Sequence, residues 1–386
     1  MKTSNINELK SIYPQLNAPQ VSRRSLLALG SIFALELAGC GGNGQDGSSP
    51  PASPPTYNNA GVVTTLAGSG TAGFVDGNGP EAQFDSPSSI AVGANGTIYL
   101  TEGGQAIRKI TAAGVVTTLA GVTNTGGYQD GTGSVARFTT PGGLAVDANG
   151  TVYVADTSLH VIRKITAEGV VTTFAGTPYT PAYADGTLAS ALFSYPRGIA
   201  IDTAGNLYIT EIGNHLIRKI TPSGEVTTVA GTQGVPGSLD GTGINASFNK
   251  PDGIAVDANG NLYITDYMNN MIRKISPLGV VTTLAGDVTP GGVDGVGPAA
   301  RFSGPMGISV DTNGNLYVAE YNNSAIRKIV IATGAVTSYA GDINTNGYVN
   351  ATGSAARFQW PQGVVVAPDG YIYVADTYNN MIRKIA

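Results

Sequence analysis

Residues 253–286 read GIAVDANGNLYITDYMNNMIRKISPLGVVTTLAG, and this stretch contains four short apolar runs separated by turns. GIAVD, LYITD, MIRKI and GVVTTLAG are rich in the β-branched and aromatic residues that favour strands. Between the first two runs, Asn259-Gly260 supplies the positive φ that a tight hairpin turn requires. The stretch therefore predicts one antiparallel sheet of four strands.

The same pattern occurs six times along the chain. A proline precedes each copy, and the spacing of these prolines is 54 to 56 residues: Pro87, Pro141, Pro196, Pro251, Pro305 and Pro361. A repeat of this length is typical of propellers, solenoids and other arrays. One such sheet has two apolar faces, and radial repetition covers both while leaving only short edges. We therefore predict an all-β protein, a six-bladed β-propeller with four-stranded antiparallel blades.

The last copy of the repeat stops at Ala386, one strand earlier than the other five. A lone GVVTTLAG stands at residues 61–68, before the first complete copy. We expect residues 61–68 to supply the outer strand of the last blade and so to close the ring. The predicted propeller domain then comprises residues 60–386.

Residues 1–39 are predicted to be an export signal peptide rather than part of the fold. They contain paired arginines, an apolar run over residues 26–38 and, at their end, Leu37-Ala38-Gly39 before Cys40. The arginines, Arg23 and Arg24, resemble a bacterial twin-arginine signal, and the last motif resembles the lipobox of bacterial lipoproteins. A transmembrane anchor is the alternative, but the run is shorter than the ~20 residues that a bilayer needs.

Cys40 is the only cysteine of the chain. In the lipoprotein pattern the cysteine thiol is acylated and the chain is cut before it, so Cys40 would become both the first residue and the membrane anchor. The folded part then has neither a disulfide nor a thiolate metal site. Residues 40–59 are rich in Gly, Ser and Pro after the cysteine, a composition that predicts a linker.

The net charge argues against one class of partner. The chain carries 21 Lys and Arg against 26 Asp and Glu, and removal of residues 1–39 takes the formal net charge from −5 to −7. Nucleic acids are bound through clustered Lys and Arg that neighbouring carboxylates do not offset. We therefore expect no nucleic-acid partner. We also expect a monomer that is held to the membrane only through Cys40.

Two stretches carry a family resemblance: EIGNHLIRK at residues 211–219 and DTYNNMIRK at residues 376–384. They resemble the NHL repeat, and the resemblance extends over essentially all of residues 61–386. It implies a six-bladed propeller. The family includes RNA-binding, protein-binding, sensor and lyase proteins, so the function has to be argued from individual residues. The first copy departs from the pattern, because TEGGQAIRK at residues 101–109 is one residue shorter and lacks the asparagine.

Most polar residues that recur between copies have structural explanations. A carboxylate ends each second strand, at Glu102, Asp156, Glu211, Asp266, Glu320 and Asp376. Six carboxylates could hold a metal or serve acid/base chemistry, but an arginine follows each one, which favours repeated ion pairs. Two further acidic series are predicted to be turn residues: Asp147, Asp202, Asp257 and Asp311, and Asp76, Asp130, Asp185, Asp240 and Asp294.

The two histidines, His160 and His215, occupy matching positions in adjacent copies. Two imidazoles without a third ligand are a weak zinc candidate. The sequence has no G-x-S-x-G motif, no P-loop and no pair of carboxylates outside the repeat pattern. We therefore predict no catalytic residues, no metal and no cofactor.

In a repeat protein, the positions that differ between copies are free to carry function, and here they lie around the six prolines. These positions should surround one mouth of the central channel, on the face that also receives the long loops between blades. The candidate binding rim comprises Asp85, Ser88, Tyr195, Arg197, Lys250, Asp252, Met306, Trp360 and Gln362. We expect Tyr195, Arg197 and Trp360 to be the main anchors, because these residue types are enriched at binding hot spots. An ordinary variable rim is the alternative.

Two functions remain open. The first is a lipid-anchored cell-envelope scaffold that binds a protein, a peptide or a glycan on one face of the propeller. The second is a metal-dependent enzyme of the lactonase or lyase type, which the family resemblance implies for some related propellers. Such sites combine polar residues from several innermost strands, and only Asp85, Asn249 and Asp252 come near that place. The sequence therefore favours the scaffold.

Overall fold

The structure, a computed structural model, describes residues 61–103, 105–343 and 345–386. All of them belong to one compact unit, Tyr57–Ala386, and the other unit, Met1–Thr56, lies outside the described residues. The predicted export signal, Cys40 and the linker up to residue 59 also lie outside them. In the described part of the chain, no helix has the length and hydropathy needed to cross a membrane.

Six antiparallel sheets form the six blades, numbered here in chain order. The innermost strand of each blade contacts the innermost strands of both neighbours, and the sixth contacts the first, so the ring is closed. The innermost strands are Pro87–Val92, Pro141–Val146, Pro196–Ile201, Pro251–Val256, Pro305–Val310 and Gly363–Val366. The prediction of a six-bladed propeller is confirmed.

The second and third strands of each blade form a regular antiparallel pair in the middle of the sheet. The second strands are Ile98–Glu102, Val152–Asp156, Leu207–Glu211, Leu262–Asp266, Asn315–Glu320 and Ile372–Asp376. The third strands are Ala106–Ile110, Val161–Ile165, Leu216–Ile220, Met271–Ile275, Ala325–Val330 and Met381–Ile385. The register joins the carboxylate at the end of each second strand to the first residue of the third, as in Asp266↔Met271.

The fourth strands lie outside the third, at Val115–Gly121, Val170–Ala175, Glu225–Ala230, Val280–Gly286 and Ala335–Ala340. Five blades also have a fifth strand of two residues, so the predicted number of four strands holds only for the last blade. These edge strands are Gly77–Asn78, Gly131–Thr132, Gly186–Thr187, Gly241–Thr242 and Gly295–Val296. They form because the loop before each blade turns back along its fourth strand and pairs with it.

Short 3₁₀-helices complete these loops. Four follow an edge strand, at Gly79–Glu81, Gly133–Val135, Gly243–Asn245 and Gly297–Ala299, and Gly353–Ala355 takes the equivalent position in the last blade. Those between the second and third strands are Thr157–Leu159, Tyr267–Asn269 and Thr377–Asn379. Each of the latter three ends on a residue in the left-handed region, for example Asn270 with a φ of 54°.

The strand Val63–Ala67 pairs with Met381–Ile385 and supplies the fourth strand of the last blade. Val63 lies opposite Ile385, and the Gly61 N–H donates to the Ala386 carbonyl at 2.8 Å. The predicted closure of the ring is therefore confirmed, although the strand begins two residues after Gly61. The first and last parts of the described chain share one sheet.

A buried arginine connects the layers of each blade. In the fourth blade, the Arg273 guanidinium lies 5.2 Å from the centroid of the Phe248 ring. Its Nη1 donates to Asp266 and its Nη2 to Asp240, each at 2.8 Å. The same arrangement of a fully buried arginine recurs at Arg108, Arg163, Arg218, Arg327 and Arg383. The predicted ion pair with the first acidic series is confirmed.

The third acidic series is not mainly turn chemistry, and that prediction was wrong. Asp240 and its equivalents accept hydrogen bonds from the buried arginine and from the fourth strand, here from Thr283 N–H at 3.1 Å. An Asp-Gly pair in a loop looks the same in sequence whether its carboxylate caps a turn or reaches another strand. The second series does form turns, because the Asp202 carboxylate accepts from the N–H groups of Ala204 and Asn206.

Candidate functional site

The six prolines lie at one end of the innermost strands and define what we call the rim face. Pro251 pairs with Asp266, so the start of each innermost strand lies beside the loop between the second and third strands. The opposite face carries the turns between the first and second strands. Ile385 pairs with Ile372, which begins just after such a turn, and the Gly61–Ala386 hydrogen bond therefore lies on the opposite face.

The residues that follow the prolines line the central channel. The channel is partly open to solvent and is lined by residues from the innermost strands of all six blades. Arg197 in the third blade donates from Nε to Asp252 Oδ2 in the fourth at 3.2 Å. Its Nη2 lies 3.5 Å from Gln362 Oε1 in the sixth blade. One guanidinium thus bridges three blades within the channel.

Arg197 is therefore placed differently from an exposed anchor. Only 7% of its surface is exposed, and Asp252 is buried to a similar degree. A Cβ on Gly142 would lie 3.3 Å from Arg197 Nη1. The absence of a side chain at Gly142 therefore makes room for the guanidinium. The sequence assigned Arg197 and Asp252 to the candidate rim but did not show that the channel buries them together.

The remaining members of the candidate rim are held by short local contacts. Ser88 Oγ lies 2.9 Å from Thr101 Oγ1 on the neighbouring strand. Asp85 accepts from the hydroxyl of Ser86 at 3.0 Å. Met306 is only 2% exposed, so its side chain offers almost no surface to a ligand.

The residues that precede the prolines form links between blades. Tyr195, Lys250 and Trp360 are half-buried and have φ values of 50°, 51° and 50°. Their backbone N–H groups donate to side chains in the loop of the preceding blade: to His160 Nδ1 at 3.1 Å, His215 Nδ1 at 3.0 Å and Ser324 Oγ at 3.2 Å. These bonds hold the backbone from which the two rings and the ammonium group project at the rim face.

The same link occurs at two further junctions and changes at one. Gly304 N–H donates to Asn270 Oδ1, and Ser86 N–H donates to Asn380 Oδ1 across the closure of the ring. At the junction of the first and second blades, Thr140 N–H donates to Asp156 instead. This exception follows the shorter loop of the first copy, in which Gln105 takes the place of the acceptor residue.

The two histidines thus have a structural role that the sequence did not show. Each imidazole uses Nδ1 to accept a backbone N–H from the next blade. Burial lowers the pKa of both, and the Lys250 ammonium lowers that of His215 further. Among the described residues, no group of three or more His, Cys, Asp and Glu side chains could hold a metal ion.

An aromatic cluster surrounds Trp360 on the rim face. Its ring stacks on Tyr321 with a centroid distance of 5.9 Å and meets Tyr378 edge-on at 4.3 Å. Tyr378 is 39% exposed, whereas Tyr321 is buried. Burial, together with the neighbouring Tyr378, raises the pKa of Tyr321. The phenol of Tyr321 therefore stays neutral and supports the tryptophan from below.

Sequence reasoning identified Trp360 but missed its two tyrosine partners. Tyr321 follows the acidic residue that ends the second strand, and Tyr378 comes two residues after the equivalent Asp376. Neither stands beside a proline, where the variation between copies is concentrated. A signal existed, because the first three copies have Gly103, Thr157 and Ile212 where the fourth and fifth have tyrosine.

The residues on which the enzyme alternative depends are engaged separately. Asp252 pairs with Arg197, and Asp85 accepts from Ser86. The Asn249 N–H donates to Asp266, which belongs to the buried ion pair of its blade. Among the described residues, no three His, Cys, Asp and Glu side chains lie together as a metal-binding group, so neither Asp85 nor Asp252 belongs to one.

Comparison with known proteins shows what this chain is similar to. The NHL repeat profile matches residues 193–220, 248–275, 302–329 and 358–385. Each match begins at the buried phenylalanine before a proline and ends at the third strand, in the last four blades. The chain therefore carries NHL repeats on its six-bladed propeller.

Two curated relatives match over most of the chain. The Arabidopsis thaliana protein SUPPRESSOR OF QUENCHING 1, chloroplastic, is 30% identical over 291 residues, which cover 70% of this chain and 27% of that protein. Human NHL repeat-containing protein 2 is 30% identical over 292 residues, or 67% of this chain and 40% of that protein. The chain thus spans less than half the length of these relatives.

Solved structures share the architecture at low sequence identity. An auxiliary nutrient binding protein from Bacteroides thetaiotaomicron superposes with a TM-score of 0.65 and 18% identity. The match covers 86% of this chain and 77% of that one. At this level of identity the similarity shows the fold alone.

Proposed function

We propose that this propeller of NHL repeats is a binding protein that captures a protein, a peptide or a glycan on its rim face. We further propose that it is exported to the bacterial cell envelope and held there by a lipid on Cys40. The NHL repeats and the propeller provide the scaffold, and the ligand is inferred from the side chains that the scaffold presents.

The aromatic cluster around Trp360 is the observation that carries the proposal. Trp360 is held by its backbone N–H and by the stacked Tyr321, so the ring loses little conformational freedom when a ligand binds. Tyr378 adds an exposed ring at its edge. Aromatic rings that are rigid and partly exposed are the commonest energetic anchors of binding surfaces.

The neighbouring blades add polar groups to the same face. Lys250 and Tyr195 stand at the equivalent positions of the fourth and third blades. Burial lowers the pKa of Lys250, which indicates a partly desolvated ammonium. A ligand that contacts the rim would therefore meet apolar rings on one side and hydrogen-bond donors on the other.

The test uses an oligosaccharide array and a peptide library as probes. We expect Trp360→Ala and Tyr378→Ala to lose the binding that the unchanged protein shows. Tyr371→Ala is the matched control, because Tyr371 lies in the last blade but in the turn on the opposite face. Binding that survives both rim substitutions, or that Tyr371→Ala reduces equally, would refute the proposal.

The anchor has an independent test. The arginine pair, the apolar run and the Leu-Ala-Gly-Cys motif support the proposal of a lipoprotein. We expect Cys40→Ser to abolish incorporation of labelled palmitate and to leave the protein outside the membrane fraction. Equal labelling of the variant would exclude Cys40 as the anchor.

A further inference from the structure

Two of the five matching links between blades end on imidazoles, and the other three end on side-chain amides or a hydroxyl, which do not titrate near neutral pH. His160 and His215 stand in the left-handed region, with φ values of 61° and 59°. Asn270, Ser324 and Asn380 take the equivalent position in the fourth, fifth and sixth blades and have the same backbone conformation. All five side chains accept the N–H of the residue before the next proline.

The acceptor atom determines the protonation state of the ring. Nδ1 can accept a hydrogen bond only while it carries a lone pair, so the hydrogen bonds from Tyr195 and Lys250 require neutral imidazoles with the proton on Nε2. In the imidazolium form both ring nitrogens are donors. Two N–H groups would then face each other over the present 3.0 to 3.1 Å. Protonation therefore breaks the link.

The charged surroundings do not favour the imidazolium. The ammonium of Lys250 faces His215 and repels a second positive charge. His160 packs edge-on against the Tyr195 ring at 4.5 Å. The carboxylates at the start of the same two loops, Asp156 and Glu211, are bonded to Arg163 and Arg218. They belong to the buried ion pairs of their own blades.

We infer that His160 and His215 are positioning residues for the rim, which hold Tyr195 and Lys250 while neutral and release both in mild acid. The inference rests on the proposed function only where it concerns binding, because the links themselves are independent of any ligand. Trp360 stays in position at the same pH, since its acceptor is the hydroxyl of Ser324. Acid thus loosens one side of the rim and leaves the aromatic cluster intact.

Amide hydrogen exchange, read residue by residue in NMR spectra, tests the inference without a ligand. We expect protection of the Tyr195 and Lys250 amides to fall about fivefold between about pH 7.5 and about pH 5, relative to the Trp360 and Ser86 amides. The latter two donate to Ser324 and Asn380 and serve as internal controls. Imidazole spectra should show the Nε2–H tautomer at the higher pH.

The double variant H160N/H215N supplies the matched control. Asparagine is the residue that the fourth and sixth blades use at this position, so the fold tolerates it. In the variant, protection of both amides should not depend on this pH change relative to the internal controls. A wild-type protein that behaves like the variant, or whose Nδ1 atoms are protonated at about pH 7.5, would overturn the inference.

The two proposals can fail separately. If no array component binds, the exchange result still decides whether the histidines hold the rim. If a component does bind, its affinity should fall in acid for the wild-type protein and not for H160N/H215N. Equal acid dependence in both proteins would show that the histidines do not position the binding residues.

Discussion

Arg197 and Gln362 belong to opposite blades of the ring, yet Arg197 Nη2 lies 3.5 Å from Gln362 Oε1. This approach is possible because the innermost strands of neighbouring blades pack with their backbones in close contact. A Cβ on Gly253 would lie 2.2 Å from the Met306 carbonyl oxygen of the next blade, which is far shorter than any real contact. The channel is therefore narrow, and a single long side chain spans it.

Loss of this side chain should destabilise the ring. In Arg197→Ala, Asp252 stays largely buried without its guanidinium partner, and removal of one member of such a pair costs about 3 kcal/mol. We expect urea unfolding to show a loss of this size. The double variant R197A/D252A should lose less than the single one. A single variant as stable as the wild type would contradict the buried pairing.

The closure of the ring makes a prediction about its first strand. Deletion of residues 61–67 removes the fourth strand of the last blade, including the buried Val63 and Ala67. We expect a lower melting temperature for the whole domain in a single transition, because every blade depends on its neighbours. Deletion of residues 41–60 is the control. If both deletions melt within one degree of the wild type, the strand does not close the ring in the way proposed.

The histidines predict a dependence of stability on pH. Their pKa values are lowered in the folded protein, so the unfolded chain binds more protons as the pH falls below the usual 6.5. Their contribution to stability is thus present at neutral pH and is lost towards the lowered pKa. We expect the melting temperature of the wild type to fall relative to H160N/H215N on acidification.

Only the difference in melting temperature between the wild-type protein and H160N/H215N reports on the histidines. Burial raises the pKa of Asp266 to about 6 and that of Glu320 to about 7, against the opposing effect of the paired arginines. A raised carboxyl pKa acts in the opposite sense, because its contribution is fully present below the unfolded pKa and is lost as the pH rises through the folded one. These carboxylates are the same in both proteins and cancel in the comparison.

Metal titration separates the scaffold from the enzyme alternative. After treatment with a chelator, we expect no shift in melting temperature on addition of calcium, zinc, magnesium or manganese, because Asp252 is paired with Arg197 and the described residues contain no group of three His, Cys, Asp and Glu side chains that could hold a metal ion. A metal that binds only the folded state raises stability by RT ln(1 + [L]/Kd). A saturable rise of several degrees would favour the enzyme.

The fold could be predicted almost completely, whereas the site could be predicted only in part. The six repeats and their Gly-containing turns indicate the number of blades. The lone GVVTTLAG before the first repeat, together with its absence from the last, indicates how the ring closes. The two-residue edge strands are too short to leave a pattern. Tyr321 and Tyr378 were missed because contact with Trp360 depends on where loops from two blades meet.

The burial of individual side chains could not be predicted from the sequence either. Arg197 and Tyr195 looked alike as variable residues next to Pro196, but Arg197 follows the proline and lies inside the channel, whereas Tyr195 precedes it and lies on the rim. The acceptors His160 and His215 looked like a sparse metal site because sequence does not show which ring nitrogen is already engaged.

The Gly61–Ala386 hydrogen bond fixes the face of the propeller at which the described chain begins and ends. This face is opposite the rim, so neither end of the described chain lies beside the aromatic cluster around Trp360.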